Sequence, residues 1–249
     1  MTDKLLVDWG EHDVLTLTLN RPERRNAVDP ELLAALTSAL AEQGERAGAV
    51  ILRGAGARAF SAGYDLERLT GTEADLEADA TIGRAVDALR ACPAPVVALV
   101  RGHCHGAGVE LAMNCDLRVA TPDLRLSVPA VGLGVVYRYQ FVTRLVAICG
   151  LNRTSDVLLG MRELDAETAL AWGMFTEVAL PSEIDARVQS LATMLATSPR
   201  PAVRGTKASL NLRMARSIAP EDQAEANRLR AAAATSIERK EALARRKKR

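Results

Sequence analysis

Val14 to Leu19 alternates apolar residues with threonine, the period of a strand that buries one face more deeply than the other, and it stops at Asn20-Arg21-Pro22, a turn-forming set. Asp29 and Pro30 then read as the N-cap and first residue of a helix, because an aspartate oxygen can accept from free N–H groups and proline lacks the N–H that would go unpaired there. Glu31 to Gln43 continues with leucines and alanines at helical spacing until Gly44 and Gly48 close it. Ala49 to Leu52 is short, apolar and bounded by glycine, the pattern of a buried strand. The same unit recurs, with a strand at Pro95 to Val100, a helix at Gly108 to Asn114 and a further strand at Asp116 to Ala120. Strands and helices that alternate in this way predict an α/β fold.

Thr70 to Ala91 begins polar and turns amphipathic, which predicts a mobile connection and then a helix, placed as a lid. From Arg138 the pattern is helical, interrupted by a strand at Phe175 to Val178, and the segment from Pro199 is rich in alanine and charge. No internal period stands out. We therefore divide the chain into an α/β body over 1–190 and a helical C-terminal region over 191–249.

With 249 residues the chain can bury a full core without metal or disulfide staples. Lys plus Arg (32) nearly balance Asp plus Glu (31), so no global field selects nucleic acid. A basic cluster does close the sequence, Arg245-Arg246-Lys247-Lys248-Arg249, and reads as a solvated helix end, a contact for phosphate across a subunit boundary, or a nonspecific RNA contact. Cys92, Cys104, Cys115 and Cys149 form no C-x-x-C pair, and Met1 to Glu11 carries charge where a signal peptide needs an apolar stretch; both predict a cytoplasmic protein with free thiols. No run of eighteen apolar residues predicts a membrane span.

Two segments share one design, a strand, a glycine-containing loop and a helix start: Val50 to Gly54 leading through Ala62-Gly63-Tyr64-Asp65-Leu66, and Val97 to Gly102 leading through Gly106-Ala107-Gly108-Val109-Glu110. Glycine lets backbone approach a ligand, and a helix start leaves N–H groups unpaired. Two such donors aimed at one carbonyl oxygen make an oxyanion hole, where losing one donor costs about 2.7–4 kcal/mol of transition-state stabilisation. Each turn alone is also an ordinary strand-to-helix connection. Gly54-Ala55-Gly56-x-x-Ala59 fits the loose dinucleotide pattern as well, yet Glu73, Asp75 and Glu77, the acids at the required distance, sit in a polar stretch with no strand pattern.

Asn20-Arg21-Pro22 with Asn26-Ala27, then Ala59-Phe60-Ser61-Ala62-Gly63-Tyr64-Asp65-Leu66, then Gly106-Ala107-Gly108-Val109-Glu110-Leu111-Ala112 with Cys115-Asp116, resemble the successive signatures of the crotonase superfamily, in order, over roughly residues 5–215. The resemblance implies a spiral of ββα units over 1–190 that binds the coenzyme A and acyl parts, a helical C-terminal region over 191–249 that covers coenzyme A and makes oligomer contacts, an acyl-CoA substrate, no metal and no cofactor beyond the coenzyme A of the substrate, and a homotrimer or hexamer. It places the oxyanion donors on the N–H groups of Tyr64 and Ala107, with Ala62, Gly63, Gly106, His105 and Ala130 against the substrate. It also puts Arg24, Arg25 and Arg58 where the family contacts coenzyme A phosphates; the plain alternative for each is solvated surface charge.

Hydratases of this family place two glutamates around a water. Glu110 matches the first, while Ala130 stands where the second should be, and a methyl group moves no proton. Tyr137, seven residues on, resembles the methylmalonyl-CoA decarboxylase branch, so the resemblance implies decarboxylation of a malonyl-type thioester, with Tyr137 orienting the carboxylate or reprotonating the α-carbon; the plain reading of Tyr137 is a pocket wall. Hydration or double-bond isomerisation through Glu110 alone is the alternative, and an inactive binding subunit the alternative of another class. Glu110 lies between Val109 and Leu111, where an unpaired carboxylate is costly, which favours a role for it. His103 and His105 flank Cys104 and point one way in an extended chain, but without further ligands at metal spacing they read as pocket-lining.

Overall fold

A computed structural model describes residues 3–72, 74–215 and 218–247; Glu73, Lys248 and Arg249, on which part of the dinucleotide and basic-tail readings rests, lie outside them. In chain order the strands and helices are β1 (Leu5–Trp9), β2 (Val14–Leu19), α1 (Pro30–Gln43), β3 (Ala49–Gly54), β4 (Ala59–Ser61), α2 (Asp75–Ala91), β5 (Val96–Val100), β6 (His103–His105), α3 (Ala107–Met113), β7 (Leu117–Ala120) and β8 (Arg125–Ser127). They continue with α4 (Tyr139–Cys149), α5 (Leu151–Leu158), α6 (Ala166–Ala171), β9 (Glu177–Val178), α7 (Ile184–Thr197), α8 (Arg200–Ala215), α9 (Pro220–Ala234) and α10 (Ile237–Lys247). The α/β class and the ββα spiral expected from the sequence are present. The cap of α1 is as read, with the Asp29 side chain accepting from Leu32 N at 2.9 Å.

Strands β1-β2-β3-β5-β7-β9 form one sheet, parallel except for the β1/β2 pair. Its central strands read as apolar on both faces because both faces are covered. Leu15, Leu17, Val50, Leu52, Val96 and Ala98 meet the main core on one side. Ile51, Val97, Leu99 and Val119 meet Ile184, Val188 and Ala192 of α7 on the other. Residue 190, the expected division, therefore falls inside a helix that covers the large sheet.

After β3, β5 and β7 the chain adds a three-residue strand, and these stack as a second parallel sheet in the order β4-β6-β8. Ala59 pairs with His103, His103 with Arg125 and His105 with Ser127. This small sheet sets the ends of β4 and β6, and with them the two glycine turns, side by side. It also removes the dinucleotide reading, since a strand follows Gly54-Ala55-Gly56 where that motif needs a helix.

The C-terminal helices fold back on the body. Lys207 of α8 is buried, donates to the carbonyls of Leu89 (3.1 Å) and Ala94 (2.9 Å), and pairs with Asp116 at 2.8 Å. Arg230 of α9 pairs with Asp79, and Arg239 of α10 pairs with Asp75 at 2.8 Å with both side chains buried. The segment before α2, expected as a mobile connection, is held by the same Asp75, which accepts from Thr70 N at 2.8 Å and Gly71 N at 2.9 Å. All four cysteines are free and buried. Among the described residues no helix is long and apolar enough to cross a membrane.

Candidate active site

Gly63 takes φ +90°, a conformation that side chains resist. Val28 bridges this turn, donating to Gly63 O and accepting from Asp65 N, both at 2.8 Å. In such a bridge the intervening N–H faces away, and Tyr64 N donates to no acceptor among the described residues. Gly106, at φ +51°, makes the second turn, anchored by its N–H to Ser127 O at 2.9 Å. Ala107 follows as the first residue of α3, where an N–H has no intrahelical acceptor. A Cβ on Gly63 would stand 2.8 Å from His105 O and 3.4 Å from Ala107 N, so the two turns are in contact. Glycine at 108 serves the same closeness, because a Cβ there would lie 2.8 Å from that of Ser61.

The first signature proves to be a brace. Asn26 is buried at φ +56°, accepts from Arg21 N at 3.1 Å, and donates to Ala55 O (3.0 Å) and Ala59 O (2.8 Å). Arg21 reaches Asp65 at 2.9 Å, and Ser61 Oγ donates to Asn26 O at 2.8 Å while accepting from Gly63 N at 3.1 Å. The sequence reading saw these residues as signature without seeing what they hold.

Both turns open on a cavity of about 870 Å³. Ala62, Gly63, Tyr64, His105, Gly106, Ala107, Ala130 and Tyr137 line it, as do Arg24 and Arg25. Arg58 does not; it is exposed, and its carbonyl accepts from His103 N at 3.1 Å, so its backbone rather than its charge serves the site. Arg24 pairs with exposed Glu67 at 2.6 Å. The far wall comes from the C-terminal helices through Arg245 and Arg246, within the basic cluster read as a phosphate contact, and through Arg230 and Arg239, which sequence reasoning did not single out.

Glu110 also stands back from the cavity lining. Its carboxylate is buried and its Oε1 accepts from Arg138, with Nε at 3.1 Å and an Nη closer still. Burial pushes the Glu110 carboxyl above its ordinary value, and the Arg138 guanidinium only partly offsets this. Oε2 has no hydrogen-bond partner among the described residues. Arg138 was invisible as the partner in a sequence that offers 32 Lys and Arg. Tyr137 is on the cavity wall, packed on Phe141 at 4.9 Å between ring centres, and its hydroxyl lies 3.5 Å from where a Cβ on Gly106 would be. Burial, and then the Glu110 charge, push its phenol strongly up, so Tyr137 is a neutral donor at working pH.

A polar chain runs along the wall beside the second turn. His103 Nδ1 lies 3.2 Å from His105 Nε2, and His105 Nδ1 lies 2.8 Å from Ser127 Oγ. Burial and then the neighbouring His103 lower the His105 pKa, which keeps it neutral. Among the described residues no group of three or more His, Cys, Asp and Glu is gathered as a metal needs.

The family model for enoyl-CoA hydratase/isomerase matches residues 10–248. The probable enoyl-CoA hydratase echA6 of Mycobacterium bovis (strain ATCC BAA-935 / AF2122/97) is 36% identical over 185 residues, 73% of either chain. The short-chain-enoyl-CoA hydratase of Clostridium acetobutylicum is 29% identical over 209 residues, 81% of this chain and 78% of the relative. Among solved structures, an enoyl-CoA hydratase from Mycobacterium avium subsp. paratuberculosis K-10 superposes with a TM-score of 0.88 at 26% identity, covering 98% of this chain and 99% of that one.

Proposed function

The chain belongs to the enoyl-CoA hydratase/isomerase family, and from that premise we propose that it polarises the carbonyl of an acyl-CoA thioester between the N–H groups of Tyr64 and Ala107 and moves a double bond, or adds water slowly, through one carboxylate. The observation that carries this reading is the contact between the two glycine turns, which puts two unpaired donors at one side of one cavity. Negative charge that develops on a thioester oxygen as an enolate forms is met there by fixed dipoles that need no reorganisation. Arg24, Arg25, Arg245 and Arg246 supply the positive rim that suits the phosphates of coenzyme A.

Glu110 is the proton carrier in this proposal, standing on the helix behind the Gly106 turn, so a water relays the proton between its carboxylate and the substrate. Arg138 takes Oε1, which leaves Oε2 as the atom without a partner, and the raised pKa brings the carboxyl nearer the range where it both gives and takes a proton. Isomerisation needs one such group, returning at one carbon the proton taken at another. Ordinary syn-hydration uses two, and with Ala130 in the second place it forgoes about 10²–10⁴ in rate. Relatives named as hydratases and the hydratase/isomerase family model favour this chemistry over decarboxylation. One feature keeps decarboxylation of a malonyl-type thioester as a second reading: the neutral Tyr137 hydroxyl beside the Gly106 turn suits reprotonation of an enolate. Exposed Leu151, Leu159, Leu170, Leu210 and Leu212 provide apolar surface for the homotrimer or hexamer we expect.

The test is mass-spectrometric product analysis after separate incubations with crotonyl-CoA, a 3-enoyl-CoA and methylmalonyl-CoA. Interconversion of the enoyl thioesters that Glu110→Gln abolishes supports the main reading. Propionyl-CoA that falls at least tenfold with Tyr137→Phe establishes the second, and no product from any of the three removes both.

A further inference from the structure

The polar chain His103–His105–Ser127 takes no part in the chemistry above, yet it lies on the wall of the same cavity and runs up to the same turn. Ser127 pairs with His105 across β6 and β8, so their side chains leave the small sheet on one face. The carbonyl of Ser127 accepts from Gly106 N at 2.9 Å, so its backbone is held one residue before the Ala107 donor. Resting on the acyl-CoA reading, we propose that Ser127 and His105 form a nucleophile–base pair that hydrolyses acyl thioesters held in this oxyanion hole, with His103 as the positioning residue.

The arrangement supplies each part such chemistry needs: a hydroxyl, a base within hydrogen-bond reach, a group that orients the base, and donors for the oxyanion. One tautomer satisfies the chain. Ser127 Oγ–H donates to His105 Nδ1 (2.8 Å), and His105 Nε2–H donates to His103 Nδ1 (3.2 Å). The lowered pKa of His105 keeps Nδ1 free to accept. Ser127 Oγ adds to the thioester carbon while its proton passes to His105 Nδ1. The tetrahedral oxyanion, held by Tyr64 N and Ala107 N, then collapses; the C–S bond breaks, and the sulfur leaves as a thiol with the proton from His105. A water molecule attacks the serine ester, gives its proton to His105, and releases the carboxylic acid as Ser127 recovers its hydrogen. The sum is thioester plus water to acid plus thiol, with no redox change and no further reactant.

Butyryl-CoA tests this separately from enoyl chemistry, because a saturated acyl chain has no double bond to hydrate or shift. The whole protein is incubated with it; thiol release is followed with a chromogenic disulfide, and the quenched enzyme is weighed by intact mass spectrometry. The background is low because all four cysteines are buried. The expected result is catalytic thiol release and a butyryl adduct on Ser127, with release falling about 10²-fold or more in Ser127→Ala and in His105→Asn. His103→Asn should lower kcat with KM unchanged and shift the pH profile of release, which a merely structural role would not do. Enoyl-CoA isomerisation without thiol release overturns this inference and leaves the family reading standing. Thiol release that survives Ser127→Ala, or no binding of butyryl-CoA at all, overturns it too.

Discussion

Arg138→Met leaves the Glu110 carboxylate buried with no cation beside it. In the native chain the two side chains are 9% and 1% exposed, and Arg138 Nε reaches Oε1 at 3.1 Å. Removing one member of such a pair costs about 3–5 kcal/mol, because the survivor keeps its desolvation penalty without its partner. A lost hydrogen bond alone costs about 1–3 kcal/mol, so magnitude separates the two accounts. The pH dependence separates them further. The Glu110 carboxyl already lies above its ordinary value of 4.5 through burial, and without the guanidinium it rises more. A folded pKa above the unfolded one favours the protonated carboxyl, so that contribution is whole below the unfolded value and is lost as pH climbs through the folded one. The difference in stability between the native chain and Arg138→Met should therefore be small near pH 4 and grow toward pH 8. Urea unfolding at pH 4, 6 and 8 measures it, and Glu110→Gln added to Arg138→Met should recover most of the loss, since an amide needs no counter-ion. A loss below about 1 kcal/mol at pH 8, or one equal at both ends of the range, refutes a buried ion pair.

Gly63→Ala should abolish turnover and acyl-CoA binding together, because the new methyl meets His105 O at 2.8 Å, at φ +90°, and pushes the turns apart; isothermal calorimetry with a non-hydrolysable acyl-CoA checks it, and unchanged affinity would be against it. Asp75→Asn should release α10, seen as faster hydrogen exchange over residues 237–246. Burial opposes ionisation of Asp75, but Thr70, Arg239 and Gly71 together hold its carboxyl below 3.8, so the latch's contribution is present above the unfolded pKa and is lost as pH falls through the folded one; acid should therefore loosen α10 in the native chain, but not further in the variant.

The elements with a long hydrophobic period were legible: β2, β3, β5, α1 and α3 fall within a residue or two of the expected bounds. The small sheet was not, since β4, β6 and β8 have three residues each and a period cannot be read from three. β1 went unread because Leu5–Trp9 pairs on the sheet edge with only Leu5 buried. At the site, the glycine turns and Tyr137 announced themselves because glycine at fixed places limits what backbone can do, and a ring is scarce in this chain. Arg138, Ser127, Arg230 and Arg239 did not, since their roles arise only when β6 meets β8 and α10 returns over 100 residues to Gly134 and Asp75. The sequence reading also placed Glu110 among the groups facing substrate, while the structure sets it behind the lining, tied to a cation.

That tie gives helix α2 a part that its pattern alone did not suggest. A Cβ at Gly83 would lie 2.6 Å from an Nη of Arg138, so the guanidinium reaches Glu110 only because α2 lacks a side chain at that level. Glycine costs a helix interior about 1 kcal/mol relative to alanine, and the helix carries that cost where the counter-ion passes. One turn earlier the same helix offers Asp79 to Arg230, and two turns earlier Asp75 to Arg239, the ion pairs that seat α9 and α10 over the cavity. One element therefore supports both the cover and the charge partner of Glu110. Any movement of the cover that breaks those pairs acts on the first turns of α2, one to two turns from the glycine that leaves room for Arg138. Helix α2 thus carries both the ion pairs of the cover and the gap through which Arg138 reaches Glu110, a residue that is tied to the cavity wall through its N–H to Gly106 O at 3.2 Å without lining the cavity itself.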